Sequence, residues 1–243
     1  MRIHASKFLA GAALALVTAT AAQAQGDAIH LVVPFAPGGA QDVIGRYLGE
    51  RLGTRMNTPV VIDNKAGAGG VIAADAVAKA KPDGRTLLLA TGGAITIAPH
   101  LNAKLSYDPR KAFVPVALVA DTPMTLAVRA QSPYTSVADL LKDAKANPGK
   151  VSYASTGNGT VSHLTGELLA QSAGVQLLHV PYRGAGPAIT DLLGGQVAAM
   201  VTSSASIEPM VLDKKARVLA SFTRERIGAL QGAPTMTEAA GLK

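Results

Sequence analysis

The segment formed by residues 29–52 constrains the fold more than any other part of the chain. Residues 29–33 are an apolar run typical of a buried strand in a parallel sheet. Prolines and glycines at 34–39 end the strand, and apolar side chains then recur every three or four positions, which predicts an amphipathic helix. Its apolar face is expected to comprise Val43, Ile44, Tyr47, Leu48 and Leu52. Because the N–H groups at a helix start lack partners, this glycine loop favours an anion, either a phosphate or a carboxylate.

Further units of strand, glycine loop and helix follow along the chain. Strands are predicted at 60–62, 86–90, 151–154, 176–180, 197–201 and 217–222, and helices at 71–80, 136–146, 160–173, 187–193 and 206–212. Residues 98–112 are predicted to be loop, and the strand-like runs 113–120 and 123–130 are predicted to cross between two lobes. The alternation predicts an α/β fold with parallel-rich sheets. Ligands bind at the carboxyl ends of such strands, so loops 35–40 and 91–93 should face loops 155–160 and 182–187 across a cleft.

The first 24 residues have the pattern of a cleaved secretory signal. Arg2 and Lys7 are basic, residues 8–17 are apolar or small, and residues 22–24 read Ala-Gln-Ala, which predicts cleavage between Ala24 and Gln25. The apolar part is shorter than the ~20 residues that a membrane-spanning helix requires. We therefore expect an exported, periplasmic protein, and one without disulfides because the chain has no cysteine.

Several function classes are disfavoured by composition and motifs. The net charge is +7, but the basic residues are scattered and there is no Trp, so a nucleic-acid surface is not expected. The chain has no G-x-G-x-x-G after its first strand, no Walker lysine after a glycine loop and no G-x-S-x-G elbow. Its histidines do not have the H-E-x-x-H spacing. We therefore expect no nucleotide, other cofactor or metal, and no enzymatic activity.

Some residues allow two interpretations from the sequence. Ser155 and His163 could form the nucleophile and base of an exported hydrolase, but eight residues of loop and helix separate them. Asp42 could bind a ligand or only complement the helix dipole. His163 could donate into the cleft or pack in the core. Tyr182 and Arg183 lie in a glycine-rich loop and favour a binding role.

Several motifs in this order resemble one family. They are Leu31-Val-Val-Pro-Phe-Ala-Pro-Gly-Gly-Ala-Gln-Asp42, Asp63-Asn-Lys-Ala-Gly-Ala-Gly-Gly70, Pro82-Asp-Gly84, Tyr107-Asp-Pro109, Ser152-Tyr-Ala-Ser-Thr-Gly-Asn-Gly-Thr-Val-Ser-His163 and Val180-Pro-Tyr-Arg-Gly-Ala-Gly-Pro187. Together they resemble the Bug-type receptors of tripartite tricarboxylate transporters. The resemblance implies a two-lobed type II periplasmic binding protein, with residues 25–121 and the returning segment 221–243 in lobe 1 and residues 122–220 in lobe 2.

The resemblance also implies a ligand, partners and site residues. The ligand would be a small carboxylate, and the partners would be a large and a small membrane subunit of a transporter, with the receptor itself a monomer. The implied ligand-binding residues are Phe35, Ala36, Pro37, Gly38, Gly39, Asp42, Thr91, Ser155, Thr156, Gly157, Gly159, Thr160, His163, Tyr182, Arg183, Gly184 and Thr202.

Two departures from the family pattern affect these expectations. Thr202-Ser203 stands where the family commonly has Asp-Ser or Asp-Asn, and the loss of a carboxylate disfavours a ligand with an ammonium group there. Family members are also usually longer, so the C-terminal part of the first lobe is expected to be missing. A truncated, non-functional paralogue is therefore an alternative. The effector domain of a transcription regulator is another, which the export signal and the lack of a helix-turn-helix disfavour.

Overall fold

The computed structural model describes residues 28–230 and 232–242. The predicted signal at residues 1–24 lies outside these residues. The described chain forms two sheets, one with the strand order β2-β1-β3 and one with the order β6-β5-β7-β4-β8. None of the helices within the described residues is long and apolar enough to span a membrane.

The first lobe is a parallel α/β unit, as predicted. Its elements are β1 (Ile29–Val33), α1 (Ala40–Met56), β2 (Val60–Asn64), α2 (Val71–Ala78), β3 (Thr86–Leu88), α3 (Ala98–Leu101) and α4 (Pro109–Ala112), with a π-helical turn at Gly93–Ile97. Both β2 and β3 pair with β1 in parallel register. The prediction of a continuous loop at 98–112 is wrong, because Pro99 and Pro109 each lie in the first turn of a short helix.

Helix α1 packs on this sheet through buried glycines and only part of the predicted apolar face. Ile44 and Leu48 reach the core, but Val43 and Tyr47 are both 62% exposed. Gly45 and Gly49 are buried, and a Cβ on them would lie 2.9 Å from side-chain atoms of Val33 and Ile62. The absence of side chains therefore allows the helix to approach the sheet closely.

The second lobe contains the larger sheet and two buried apolar clusters. Its elements are β4 (Met124–Arg129), α5 (Val137–Ala146), β5 (Ser152–Ser155), α6 (Val161–Ala173), β6 (Leu178–Pro181), α7 (Ala185–Leu193), β7 (Ala199–Ser203), α8 (Ser204–Leu212), β8 (Ala216–Ser221) and α9 (Met236–Ala240). Strands β5, β6 and β7 are parallel, whereas β4 runs antiparallel to both β7 and β8. Tyr153, Leu126 and Leu140 are among its largest fully buried side chains.

Residues 113–120 do not form the predicted strand. They have no regular secondary structure, and the side chains of Val114, Val116 and Leu118 are each more than 80% exposed. A strand requires a neighbour for its backbone hydrogen bonds, and none of the described strands pairs with this segment.

The described part of the predicted returning segment contacts the second lobe instead of the first. Met236 is buried in the same cluster as Leu126, Tyr153 and Leu219, and α9 packs on α5 and β8. The Ser221 amide donates to the Pro234 carbonyl, which holds the chain beside β8. Burial of Met236 against the larger sheet accounts for this difference from the prediction.

Candidate functional site

The glycine loop after β1 is held in shape by Asp42, in the first turn of α1. Its carboxylate accepts hydrogen bonds from the Gly38 amide at 3.2 Å and from Asn64 Nδ2 at 3.0 Å, and it pairs with Arg46. Burial raises the pKa of Asp42, but the hydrogen bonds from Arg46, Asn64 and Gly38 outweigh it, so the pKa is lowered. Asn64 also donates to the Phe35 carbonyl at 3.0 Å. These contacts join the end of β2 to the loop and keep Asp42 ionised.

In the second lobe, the 155–160 loop is held by hydroxyl groups at the start of α6. Thr160 caps the helix by accepting from the His163 amide, and its hydroxyl donates to the Gly157 carbonyl at 2.7 Å. Ser162 Oγ accepts from the Thr156 amide at 2.9 Å. These hydrogen bonds define the shape of the loop.

Ser155 pairs with His179, which the sequence interpretation did not include in the site. Ser155 Oγ lies 2.6 Å from His179 Nε2 and accepts from the Gly157 amide at 3.1 Å. The His163 ring stacks on His179 with centroids 4.1 Å apart. Among the described residues, no hydrogen bond joins Ser155 to His163, so the structure does not form the dyad of the hydrolase hypothesis. The local sequence around His179 gives no signal for this pairing, which depends on the adjacency of β5 (Ser152–Ser155) and β6 (Leu178–Pro181).

The loops of the two lobes contact each other, as predicted. The Ala36 amide donates to the Arg183 carbonyl at 2.9 Å, and the Ala40 amide donates to Ser206 Oγ at 3.1 Å. Cβ atoms placed on Gly39 and Gly184 would contact Ala185 and Phe35 at 3.1 and 3.0 Å. Glycines therefore permit backbone to approach backbone across the cleft.

A cavity of about 310 Å³ lies between these loops. The predicted residues that line it are Phe35, Thr156, Gly157, Tyr182 and Arg183, and the lining residues that were not predicted are Ala66, Gly67, Ala68, Gly69, Ile72, Asn158 and Pro181. The 63–70 glycine loop was recognised in the sequence, but nothing in its pattern showed that it turns toward the second lobe. A larger hollow of about 680 Å³ on the surface of α1 and β2 is lined by none of the predicted site residues.

None of the other predicted site residues is among those that line the cavity. Ala36, Pro37, Gly38, Gly39 and Gly184 belong to the loop contact between the lobes. Asp42, Ser155, Gly159, Thr160 and His163 support the two loops from behind. Thr91 and Thr202 each have a buried hydroxyl oxygen without a partner among the described residues. Whether all of these residues contact a ligand stays a prediction.

The charged part of the cavity lining is positive. Arg183 is the one charged side chain among the residues that line it, and in the described chain no carboxylate pairs with its guanidinium. Tyr182 donates to Asp191 at 2.6 Å, and burial together with this carboxylate raises the pKa of Tyr182 to about 12. Within residues 28–230 and 232–242, no group of three or more metal-ligating side chains is placed to hold a metal ion.

Two α/β lobes with glycine loops around a small cavity define a two-lobed solute-binding protein of the periplasmic class. The model of the tripartite tricarboxylate transporter family receptor matches residues 44–243, and the chain belongs to this family. Its fold and family are those of a binding protein, not of an enzyme.

Individual relatives agree with this assignment. A UPF0065 protein from Pseudomonas sp. (strain P51) is 43% identical over 97% of this chain and 71% of its own length. The structure of periplasmic binding protein BugD is 38% identical, with a TM-score of 0.83 over 88% of this chain and 71% of that chain. MatC from Rhodopseudomonas palustris, solved with bound malate, is 33% identical, with a TM-score of 0.82 over 88% of this chain and 72% of that chain. The resemblance to Bug-type receptors and the type II fold are confirmed.

Proposed function

We propose that the protein is a periplasmic receptor that captures a small carboxylate between its lobes and presents it to the membrane subunits of a tripartite transporter. The observation that carries this proposal is the cavity between the lobes, whose one charged lining side chain is an arginine without a carboxylate partner in the described chain. The malate bound to MatC supports the carboxylate class. Family membership supports the two membrane subunits as partners and the periplasmic location.

The donors around the cavity indicate how much free energy of binding hydrogen bonds could supply to a bound carboxylate. An ionised acceptor forms stronger hydrogen bonds than a neutral one, of about 1.5–3 kcal/mol each. A guanidinium and two or three hydroxyl or amide donors would therefore supply much of the ~8 kcal/mol that a micromolar affinity requires. Phe35 and Ile72 offer apolar contact to the carbon skeleton of a ligand. The lining contains no carboxylate that could pair with an ammonium group of a ligand.

The test is calorimetric titration of the full chain with malate, succinate and adipate, each compared with the uncharged diamide of the same length. We expect the acids to bind and the diamides not to bind. Arg183→Gln should weaken binding by about ten- to a hundredfold, which corresponds to one charge-assisted hydrogen bond. Arg224→Gln, at an exposed position outside the cavity, is the matched control and should bind as the wild type does. Equal binding of diamides, or unchanged affinity in Arg183→Gln, would contradict the proposal.

A further inference from the structure

Two histidines lie directly behind the loop that forms the second-lobe side of the cavity. His163 Nδ1 accepts a hydrogen bond from the Gly159 amide at 3.2 Å. His179 Nε2 lies 2.6 Å from Ser155 Oγ, and that oxygen accepts from the Gly157 amide at 3.1 Å. His179 is thus linked to Ser155, and His163 to Gly159, at the two ends of the 155–159 loop. The cavity-lining residues Thr156, Gly157 and Asn158 lie between these two attachment points.

The geometry of the pair requires an acceptor nitrogen on His163. An imidazolium ion carries a proton on both nitrogens, so it cannot accept from an amide. The rings are stacked with centroids 4.1 Å apart and planes 21° apart, a separation at which two positive charges would repel each other. The Gly159 contact is therefore that of an uncharged His163 ring, and the stacking disfavours a charge on both rings at once.

The surroundings of the pair contain one acidic and one phenolic group. Tyr153 stacks on the other face of the pair, 5.0 Å from the His179 centroid, and its hydroxyl donates to Glu167 at 2.6 Å. Glu167 Oε1 is 3.9 Å from His163 Nε2, on the side away from the Gly159 bond. Burial lowers the pKa of His179 to about 4, a positive charge on His163 would add to this effect, and Glu167 opposes it.

We infer that His163 and His179 are positioning residues that, as neutral imidazoles, fix the 155–159 loop in the shape that lines the cavity, and that acidification loosens this side of the cavity. The effect on a ligand rests on the proposed function, whereas the effect on the loop does not. Neither side chain lines the cavity, so both act through the backbone of the loop.

The first test measures the loop by NMR on the full chain without ligand. His163→Leu removes the acceptor and should accelerate exchange of the Gly159 amide by about tenfold, because one local hydrogen bond is lost. His163→Asn offers a carbonyl oxygen in place of Nδ1 and should retain most of the protection. His100→Asn, exposed on α3, is the control and should exchange as the wild type does.

The pH arm compares the same proteins at about pH 7.5 and about pH 5, a range that brackets the ordinary value of a histidine side chain and lies above the pKa of about 4 of His179. After correction for intrinsic exchange, Gly159 protection should fall in the wild type and in His100→Asn but not in His163→Asn. Unchanged protection in His163→Leu, or the same fall in His163→Asn as in the wild type, would overturn the inference.

The second test measures malate affinity at the same two pH values. The titration of malate itself affects all variants alike, so the wild type should lose about five- to tenfold more affinity on acidification than His163→Asn, the equivalent of one hydrogen bond. Equal losses would contradict a role of the pair in binding. If no carboxylate binds the wild type at about pH 7.5, the proposed function fails, while the amide exchange still decides whether the histidines hold the loop.

Discussion

At the scale of single residues, Gly166 shows how tightly the second lobe is packed. A Cβ at this position in α6 would overlap the ring of Tyr153. Tyr153 is 1% exposed, and its hydroxyl is anchored to Glu167, so the ring has no room to move away. We expect Gly166→Ala to lower the free energy of unfolding by about 1–3 kcal/mol, although alanine is the better helix former.

Urea denaturation of the full chain would measure this change. Gln171→Ala, on the exposed side of the same helix, controls for helix propensity and should change the free energy of unfolding by less than about 0.5 kcal/mol. Equal stability of Gly166→Ala and the wild type would mean that Tyr153 can adopt another position.

The lowered pKa of His179 predicts a pH dependence of stability. A histidine in the unfolded chain titrates near pH 6.5, at about the general value, whereas His179 in the folded protein titrates at about 4. Above both values neither state binds the proton. As the pH falls from about 6.5 to about 4, the unfolded state takes it up first, so the folded state loses stability across this window.

This dependence can be separated from that of the carboxylates by substitution. His179→Gln cannot titrate, and its amide can still reach Ser155, so its stability should fall less than that of the wild type between about pH 7 and about pH 5. His100→Gln, which replaces an exposed histidine, should follow the wild type. An equal decrease in the free energy of unfolding of His179→Gln and of the wild type between the two pH values would refute the prediction.

At the scale of elements, the start of α5 is fixed by a capping box. Ser136 Oγ accepts from the Asp139 amide at 3.1 Å, and Asp139 Oδ2 accepts from the Ser136 amide at 2.9 Å. The helix buries Val137, Leu140 and Ala144 in the core of the second lobe. Ser136→Ala should therefore lower the free energy of unfolding by about 1 kcal/mol, the usual cost of losing a cap.

The measurement is again urea denaturation, with Ser172→Ala in the exposed last turn of α6 as the control for the same chemical change. That variant should be as stable as the wild type or slightly more stable, because alanine is favoured inside a helix. A loss of equal size in both variants would show that the cap contributes nothing specific.

The order of elements could be predicted from the sequence, but several helix faces could not. Periodicity placed Val43 and Tyr47 on the buried face of α1, whereas Gly45 and Gly49 lie there. In α6, likewise, a large apolar residue lies outside and a glycine inside, since Leu168 is 58% exposed and Gly166 is buried. Hydrophobicity scales reward large apolar residues, but close packing of a helix on a sheet can require the absence of a side chain. That requirement depends on the facing residue, which the local sequence does not show.

The candidate site could be predicted only in part, because the position of its lining atoms also depends on parts of the chain that are distant in sequence. Glycine loops at strand ends identify the cleft, because topology brings them together. Which loop atoms line the cavity depends on how the lobes meet, and the local sequence does not show this. Residues 66–69 line the cavity but were not predicted to, whereas Gly39, a predicted ligand-binding residue, contacts Ala185 of the second lobe. The pairing of Ser155 with His179 joins neighbouring strands β5 and β6, and that adjacency follows only from the strand order.

At the scale of the whole molecule, the contact between the lobes includes glycines whose nearest atoms belong to the opposite lobe. The atoms nearest to a Cβ on Gly186, at the start of α7, belong to Pro37 and Gly38 of the first lobe, and the Pro37 carbonyl oxygen would overlap it. Gly186→Ala should therefore disfavour the arrangement in which the loops of the two lobes are in contact, and leave the fold of each lobe intact. Its effect on the free energy of unfolding should be less than about 1 kcal/mol.

Small-angle X-ray scattering would detect the change, because separation of the lobes increases the radius of gyration while a local adjustment does not. Gly228→Ala is the matched control, since a Cβ there meets no atom within 4 Å. We expect a larger radius for Gly186→Ala than for the wild type and the control. The same substitution should weaken carboxylate binding, because closure must then displace the Pro37 backbone. An unchanged radius together with unchanged affinity would mean that the lobes close without this contact.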